Sequence, residues 1–353
     1  MIYLLMFIFT LFFATCFKKV IKNKQKLILV TLIVFLPTFL VSALRYDVGT
    51  DYMYTYVKYF EATKQGWLPY KNEPIFQLLN NSLVSLNLSV QWLFVITSAF
   101  FVYGLGYLLL RYSQIPLVSI IIFFLSSIFF NSLNNVRQYL SLAIIIYILF
   151  IKSKPTKVLL FIVSVLIHNS SIIFLPIYLI SKVRFDKKTF IIITLFMILS
   201  SPLITFILVK VLAVTKYSYF LYEQTGYSFL LIAINAILLF YTLLYYNPRN
   251  KLYVSLSNIQ VFTSIFCFCS LFFQNEEFWM RFTRILSITQ PFLIPYIVLS
   301  DSKRSGRCLN LVIIMSAFFI YTFYTVYLMG GLEVYPYKSI LFDNGGINFI
   351  WQI

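Results

Sequence analysis

The stretch that decides the fold opens with Lys152-Ser153-Lys154-Pro155-Thr156-Lys157 and closes with Lys182-Val183-Arg184-Phe185-Asp186-Lys187-Lys188. Between the two basic loops runs 158–181, apolar except for His168-Asn169-Ser170-Ser171 at its middle, with Pro176 beyond. Read as one helix, these 24 residues make a normal bilayer span. Basic loops, however, collect on the cytoplasmic side of a membrane, and one span would carry one of the two loops outside. A helical hairpin turning near His168 keeps both inside. Each arm is then only about 15 Å long at roughly 1.5 Å per residue. Its turn lies near mid-membrane, where irregular backbone is tolerated only if it is buried in protein or lines a wet cavity.

Working outward, the apolar runs 1–17, 27–44, 90–110, 117–131, 139–151, 188–212, 227–246, 252–273, 285–299 and 308–328 read as further spans. With the hairpin as two crossings the total is about twelve, and both termini lie outside. Met1 to Phe17 has no positive region before it and no small-residue cleavage site, so it reads as a retained first span. The weaker segment 75–88, with Asn80, Asn81, Ser82 and Asn87, reads as an interfacial or re-entrant helix. The expected fold is an all-α polytopic membrane protein, one integral membrane domain over 1–353, with a cavity on the outer face.

Composition agrees. Of 353 residues, 61% are hydrophobic and 11% charged, and the mean hydropathy is +0.87. A soluble domain carries about 25% charged residues. A soluble enzyme, a disordered linker and a nucleic-acid module are therefore excluded, and nucleic acid is not an expected partner. The net charge of +17 follows from topology: 18 of the 28 basic residues, but only Asp186 and Asp301 among the acids, fall in inner loops. The outer segments 45–74, 131–138, 213–226, 274–284 and 329–353 are longer, mixed in charge and rich in Tyr and Trp. Chemistry is expected there, since function concentrates in loops held by a rigid scaffold. The four cysteines, Cys16, Cys267, Cys269 and Cys308, form no disulfide framework or zinc pattern, and the single histidine rules out a His-based metal cluster within one chain.

Arg137, in Asn134-Asn135-Val136-Arg137-Gln138, sits at the outer start of the span 139–151. Arg281 and Arg284 share a helical face at the outer start of 285–299. Helix N-termini favour anions, and guanidinium groups bind phosphate bidentately. The competing reading is snorkelling toward lipid phosphates. Arg45 follows the second span in Arg45-Tyr46-Asp47-Val48-Gly49-Thr50-Asp51-Tyr52, where Asp47 and Asp51 could act as a base or hold a cation; a local Arg–Asp pair that fixes the loop is the alternative. His168 at membrane depth suits proton transfer, against a neutral imidazole that merely bonds a loop carbonyl. Glu73, before Pro74, is well placed to complement a helix N-terminus. Tyr335 and Tyr337 could stack on sugar rings or form an interfacial aromatic belt.

Taken in order along the chain, these pieces resemble the EpsG family of bacterial exopolysaccharide and capsule proteins, related to Wzy-type repeat-unit polymerases. The matching elements are Arg45 to Tyr52 with Tyr56, Glu73-Pro74-Ile75-Phe76, Asn135-Val136-Arg137-Gln138, His168-Asn169-Ser170 before Pro176, Arg281 with Arg284, and Tyr335-Pro336-Tyr337. The resemblance implies a glycosyltransferase of the bacterial cytoplasmic membrane that needs no metal and no cofactor. It would transfer a growing glycan from undecaprenyl diphosphate to a lipid-linked repeat unit on the outer face, beside a chain-length regulator and a flippase. Arg137, Arg281 and Arg284, with Arg45 in support, would bind the diphosphate; His168, Asp51 or Asp47 would activate the acceptor. Tyr52, Glu73, Gln138, Tyr335 and Tyr337 would contact glycan. Rival readings are a polyprenyl-phosphate-dependent glycosyltransferase, a repeat-unit flippase and a membrane acyltransferase.

Overall fold

The computed structural model describes residues 1–22, 25–214, 229–273 and 276–341. Most of the segment 213–226, the side chains of Glu276 and Glu277, and Asp343 lie outside this description. Among the described residues every regular element is helical, and an isolated antiparallel bridge joins Arg45 to Ser339.

Three helices are long and apolar enough to cross a bilayer: Gln91–Tyr112, Lys251–Phe272 and Arg304–Leu328. Three more spans form if each of three bent pairs is counted as one: Pro116–Leu125 with Ile128–Asn134 (49°), Lys187–Leu199 with Ser201–Val211 (51°), and Phe278–Ser287 with Gln290–Ser300 (61°). The twelve expected crossings include shorter helices, such as Ile2–Cys16 and Phe229–Tyr245, that fall below this length.

Each break has a local cause. Pro291 lacks the N–H that would bond the Ser287 carbonyl, so the helix Glu276–Ser287 is not continued and a new one starts at Gln290 with Pro291 in its first turn. Pro37 similarly sits at the start of Leu36–Ala43, separate from Leu27–Val34. Ser127 adopts φ of 58°, in the left-handed region, and its hydroxyl meets Thr322 Oγ1 at 3.1 Å. Ser200 donates back to the Phe196 carbonyl at 2.8 Å, a bond that bends helices.

The stretch 152–188 is interrupted where its polar centre requires. Ser153 caps Lys154–Ile167 by accepting from the Thr156 N–H at 3.4 Å. His168 is extended, a 3₁₀ turn covers Asn169–Ile173, and Phe174–Ser181 is helical again. Asn and Ser side chains compete with a helix for backbone bonds, which favours a break at this place.

The chain divides into two compact units. The first comprises Met1–Ile173 and Thr322–Ile353, the second Phe174–Tyr321. The first unit is built on an aromatic cluster of Tyr52, Tyr56, Phe60, Tyr70, Phe76 and Phe94 with Leu83, Leu93 and Ile167. Residues 332–340 are stitched onto its first long loop. The Tyr3 hydroxyl donates to the Val334 carbonyl at 2.7 Å, Tyr46 N–H to Lys338 at 3.1 Å and Ile340 N–H to Leu44 at 3.1 Å. Gly49, at φ of 99°, donates to the Glu333 carbonyl at 2.9 Å; a side chain there would also strike Asn134. The second unit centres on Lys251–Cys269, capped by Asn250, which accepts from Leu252 and Tyr253 N–H at 3.1 Å each.

Candidate functional site

In the first unit three ionisable side chains from three separate segments converge. Glu73 precedes the helix Pro74–Ser85, Arg137 is the second residue of Val136–Ile148, and His168 ends Lys154–Ile167. The Glu73 carboxylate uses both oxygens. Oε2 takes a short hydrogen-bonded ion pair from Arg137 Nη1, and Oε1 lies 2.6 Å from His168 Nδ1. The side chain of Glu73 is 8% exposed, those of Arg137 and His168 24% and 20%. The acid is thus enclosed, and its two partners reach the edge of the protein.

Local structure holds each member. Pro74 at the first helical position fixes the approach to Pro74–Ser85. Glu73 N–H donates to the Tyr70 carbonyl at 2.7 Å, and Gln77 Oε1 accepts from Tyr70 N–H at 2.8 Å, so the turn 70–73 is closed on the helix it precedes. The Arg137 guanidinium lies 4.7 Å over the Tyr70 ring and 5.9 Å over Phe76, and the Tyr56 phenol faces it as well. Its Nε–H has no hydrogen-bond partner. His168 is pinned through Ser141, one turn beyond Arg137 on the same helical face. The Ser141 hydroxyl bonds the Ser164 carbonyl at 3.0 Å and makes a short contact with Ser171 Oγ; Ser171 N–H donates to the His168 carbonyl at 3.1 Å.

Burial on its own would raise the Glu73 carboxyl, but the hydrogen bond with His168 and the charge of Arg137 outweigh it and hold the group below the usual carboxylate range. The acid is therefore ionised at neutral pH. From its place before Pro74, Glu73 is expected to complement a helix N-terminus, and from the family resemblance to contact glycan. Its side chain makes no capping bond; it faces Arg137 and His168 instead. A signal was present: between residues 62 and 185 Glu73 is the sole acid.

The other predicted residues are placed differently. Arg45, expected to support an anion site, is 1% exposed. Its Nη1 donates to the Ser42 carbonyl at 2.8 Å and its Nη2 to the Leu133 carbonyl at 3.1 Å, and the guanidinium packs 4.5 Å over Phe94. Ser42 and Leu133 lie in the last turns of Leu36–Ala43 and Ile128–Asn134, so the cation closes two helix C-termini, where the backbone dipole favours it. Arg45 is thus enclosed by the fold, with its Nε–H left unpartnered. A local Arg45–Asp47 pair does not form either: Asp47 pairs with Lys338 Nζ at 2.7 Å, on an exposed surface. Asp51 is half-buried at the start of the π-helical turn Tyr52–Val57 and accepts weakly from Thr55 Oγ1 at 3.4 Å.

Tyr52, expected to meet glycan, is fully buried; it stacks on Phe94 at 4.5 Å and donates to Gln91 Oε1 at 3.2 Å. Tyr337 donates to the Val41 carbonyl at 2.9 Å and packs edge-on against Tyr3, whereas Tyr335 is exposed. Gln138 is half-buried next to Arg137. In the second unit Arg281 and Arg284 lie on Glu276–Ser287, in its middle and its last turn. They were expected at the N-terminus of a helix starting at 285. The break before Pro291 puts them toward a C-terminus instead, where cations are favoured for a different reason. Among the described residues no three His, Cys, Asp or Glu side chains are grouped to hold a metal ion.

An all-α chain with apolar membrane-spanning helices and a charged cluster in its first unit defines a class, the membrane-embedded polytopic proteins. Within that class a family model matches residues 28–339, and the chain belongs to the EpsG family, a family of Wzy-type polysaccharide polymerases. No curated protein and no solved structure matches it significantly.

Proposed function

We propose that the protein is an exopolysaccharide, capsule or O-antigen repeat-unit polymerase of the bacterial cytoplasmic membrane. It takes a growing glycan from undecaprenyl diphosphate and passes it to a lipid-linked repeat unit on the outer face. About twelve crossings, counting short and re-entrant helices, would set the Glu73–Arg137–His168 cluster facing out. That cluster carries the reading. The reaction needs a cation for a diphosphate leaving group and a base for a sugar hydroxyl, and Arg137 and His168 supply one of each on adjacent elements.

The acceptor hydroxyl attacks the anomeric carbon. As the new C–O bond forms, the bond from that carbon to the diphosphate oxygen breaks, and the electron pair leaves with the diphosphate. Arg137, whose side chain is 24% exposed beside its pair with Glu73, stabilises the charge that develops there. His168 accepts the hydroxyl proton. Arg281 and Arg284 are further candidates for phosphate contact, and Asp51 is the alternative base. Arg45 contributes by fixing the first loop rather than by touching substrate.

The test is a strain carrying Arg137→Ala. Loss of long polymer with single repeat units retained on lipid supports the reading. Normal polymer length from both Arg137→Ala and His168→Ala would overturn it.

A further inference from the structure

The geometry around His168 goes beyond the presence of a base. An ionised carboxylate can only accept hydrogen bonds. Glu73 Oε2 is taken by the permanently charged Arg137 in an ion pair, so the 2.6 Å contact between the other oxygen, Oε1, and Nδ1 places the imidazole proton on Nδ1. The same ion pair stops the carboxylate from rotating away. Among the described residues His168 Nε2 has no hydrogen-bond partner, and one-fifth of the side chain is open.

We infer that Glu73 is a positioning residue: it fixes the proton of His168 on Nδ1 and leaves Nε2 as the nitrogen that receives a proton. The first half stands on geometry alone; that the proton comes from an acceptor sugar hydroxyl rests on the polymerase reading. When the hydroxyl proton moves to Nε2, the imidazole becomes a cation carrying both protons. The Glu73 charge beside Nδ1–H then offsets that new positive charge, without itself taking a proton. The logic is that of a carboxylate behind a catalytic histidine in hydrolases, where the wrong tautomer costs about 10⁴ in turnover. Arg137 completes the arrangement. Its second partner would be substrate, so one carboxylate holds both the group that meets the leaving diphosphate and the group that takes the proton.

The chain has a single histidine, so its tautomer can be read without assignment. Full-length protein in nanodiscs, labelled with ¹⁵N-histidine, gives one imidazole pattern in a long-range ¹H–¹⁵N spectrum. Where the spectrum shows a single imidazole proton, the wild type should show the Nδ1–H tautomer. Glu73→Ala and Glu73→Leu should shift it toward the Nε2–H form, with turnover falling by about 10²–10⁴ and KM moving much less. An Nε2–H tautomer in the wild type overturns the inference whether or not either variant folds. An unchanged tautomer in a folded variant overturns it as well. The activity arm separates this from the polymerase reading. If His168→Ala destroys polymer while the wild-type tautomer is Nε2–H, the positioning role fails and the polymerase stands. If the tautomer is Nδ1–H but Arg137→Ala and His168→Ala both make normal polymer, the polymerase reading fails and the positioning stands.

Discussion

Glu73 Oε1 and His168 Nδ1 meet at 2.6 Å although 95 residues separate them in sequence. A buried acid needs compensation, since desolvating a carboxylate without partners costs several kcal/mol. Glu73 has two partners, one permanently charged. The segment 70–73, the start of Val136–Ile148 and the break at His168 are therefore held together by one group, and displacing any of them leaves a charge uncompensated.

Arg137 should not tolerate replacement by lysine. Its planar guanidinium bonds Glu73 through Nη1, stacks over Tyr70 and faces the Tyr56 phenol. A lysine ammonium is a point charge that cannot do all three. Arg137→Lys is expected to fold, because the charge facing Glu73 survives, yet to lose at least about tenfold in polymer formed per unit of membrane protein, the effect of roughly 1.4 kcal/mol in the transition state. Gel profiles of polymer against immunoblotted protein measure it, and wild-type yield from Arg137→Lys would refute it.

The Glu73 cluster also predicts a pH signature with a definite sign. The folded carboxyl is held below its unfolded value, so the stabilisation is full above the ordinary glutamate pKa of about 4.3 and is lost as pH falls through the lower folded value. Between pH about 5 and neutrality its contribution should be constant. Melting temperatures of wild type and Glu73→Gln, taken in detergent down to about pH 3, should differ most near neutrality and converge in acid. A gap that stays constant or widens toward acid contradicts the assignment.

How far all this was legible in the sequence depends on range. The all-α membrane character follows from bulk composition. The break at His168 follows from four consecutive residues, and the bend before Pro291 is visible in a single proline, although the run 285–299 reads as unbroken when only hydropathy is weighed. Arg137 and His168 stand out because each is chemically unusual where it lies. The partners of Glu73 are not legible, because a carboxylate at a helix N-terminus already has a local explanation and those partners are 64 and 95 residues away. The surroundings of Arg45 are hidden for the same reason. Nothing in Arg45-Tyr46-Asp47 announces that the carbonyl of Leu133, 88 residues on, will close over it.

Arg45 therefore makes a contrasting prediction. Arg45→Ala removes a buried cation and strands the carbonyls of Ser42 and Leu133, each worth about 1–3 kcal/mol when left unsatisfied. Loss of protein from the membrane, or a melting temperature several degrees lower, is expected, and any fall in polymer should track that loss. For Arg137→Ala, polymer should fall while protein level holds. A fully stable Arg45→Ala protein with no polymer would return Arg45 to the substrate site.

The second unit offers a test of its own architecture. Gln260 lies at the centre of a buried amide cluster on the helices Phe229–Tyr245, Lys251–Cys269 and Gln290–Ser300. Its Nε2 donates to Asn235 Oδ1 at 3.0 Å and to Ser264 Oγ at 3.2 Å, while its Oε1 accepts from Gln290 Nε2 at 3.2 Å; Gln290 also reaches Asn235 Oδ1 at 3.3 Å. Interhelical hydrogen bonds in membrane proteins average only about 0.6 kcal/mol, so the bonds themselves contribute little. The cost of breaking them lies in what is left behind, since an amide with no partner in an apolar interior loses about 1–3 kcal/mol. Gln260→Leu should accordingly destabilise more than the bond average suggests, because it removes the one side chain that bonds Asn235, Ser264 and Gln290 together. Gln260→Leu combined with Gln290→Leu should cost less than the sum of the two single changes. Thermal unfolding of the four proteins in one detergent measures the coupling. Additive single effects would mean that the amides pack side by side without sharing their hydrogen bonds.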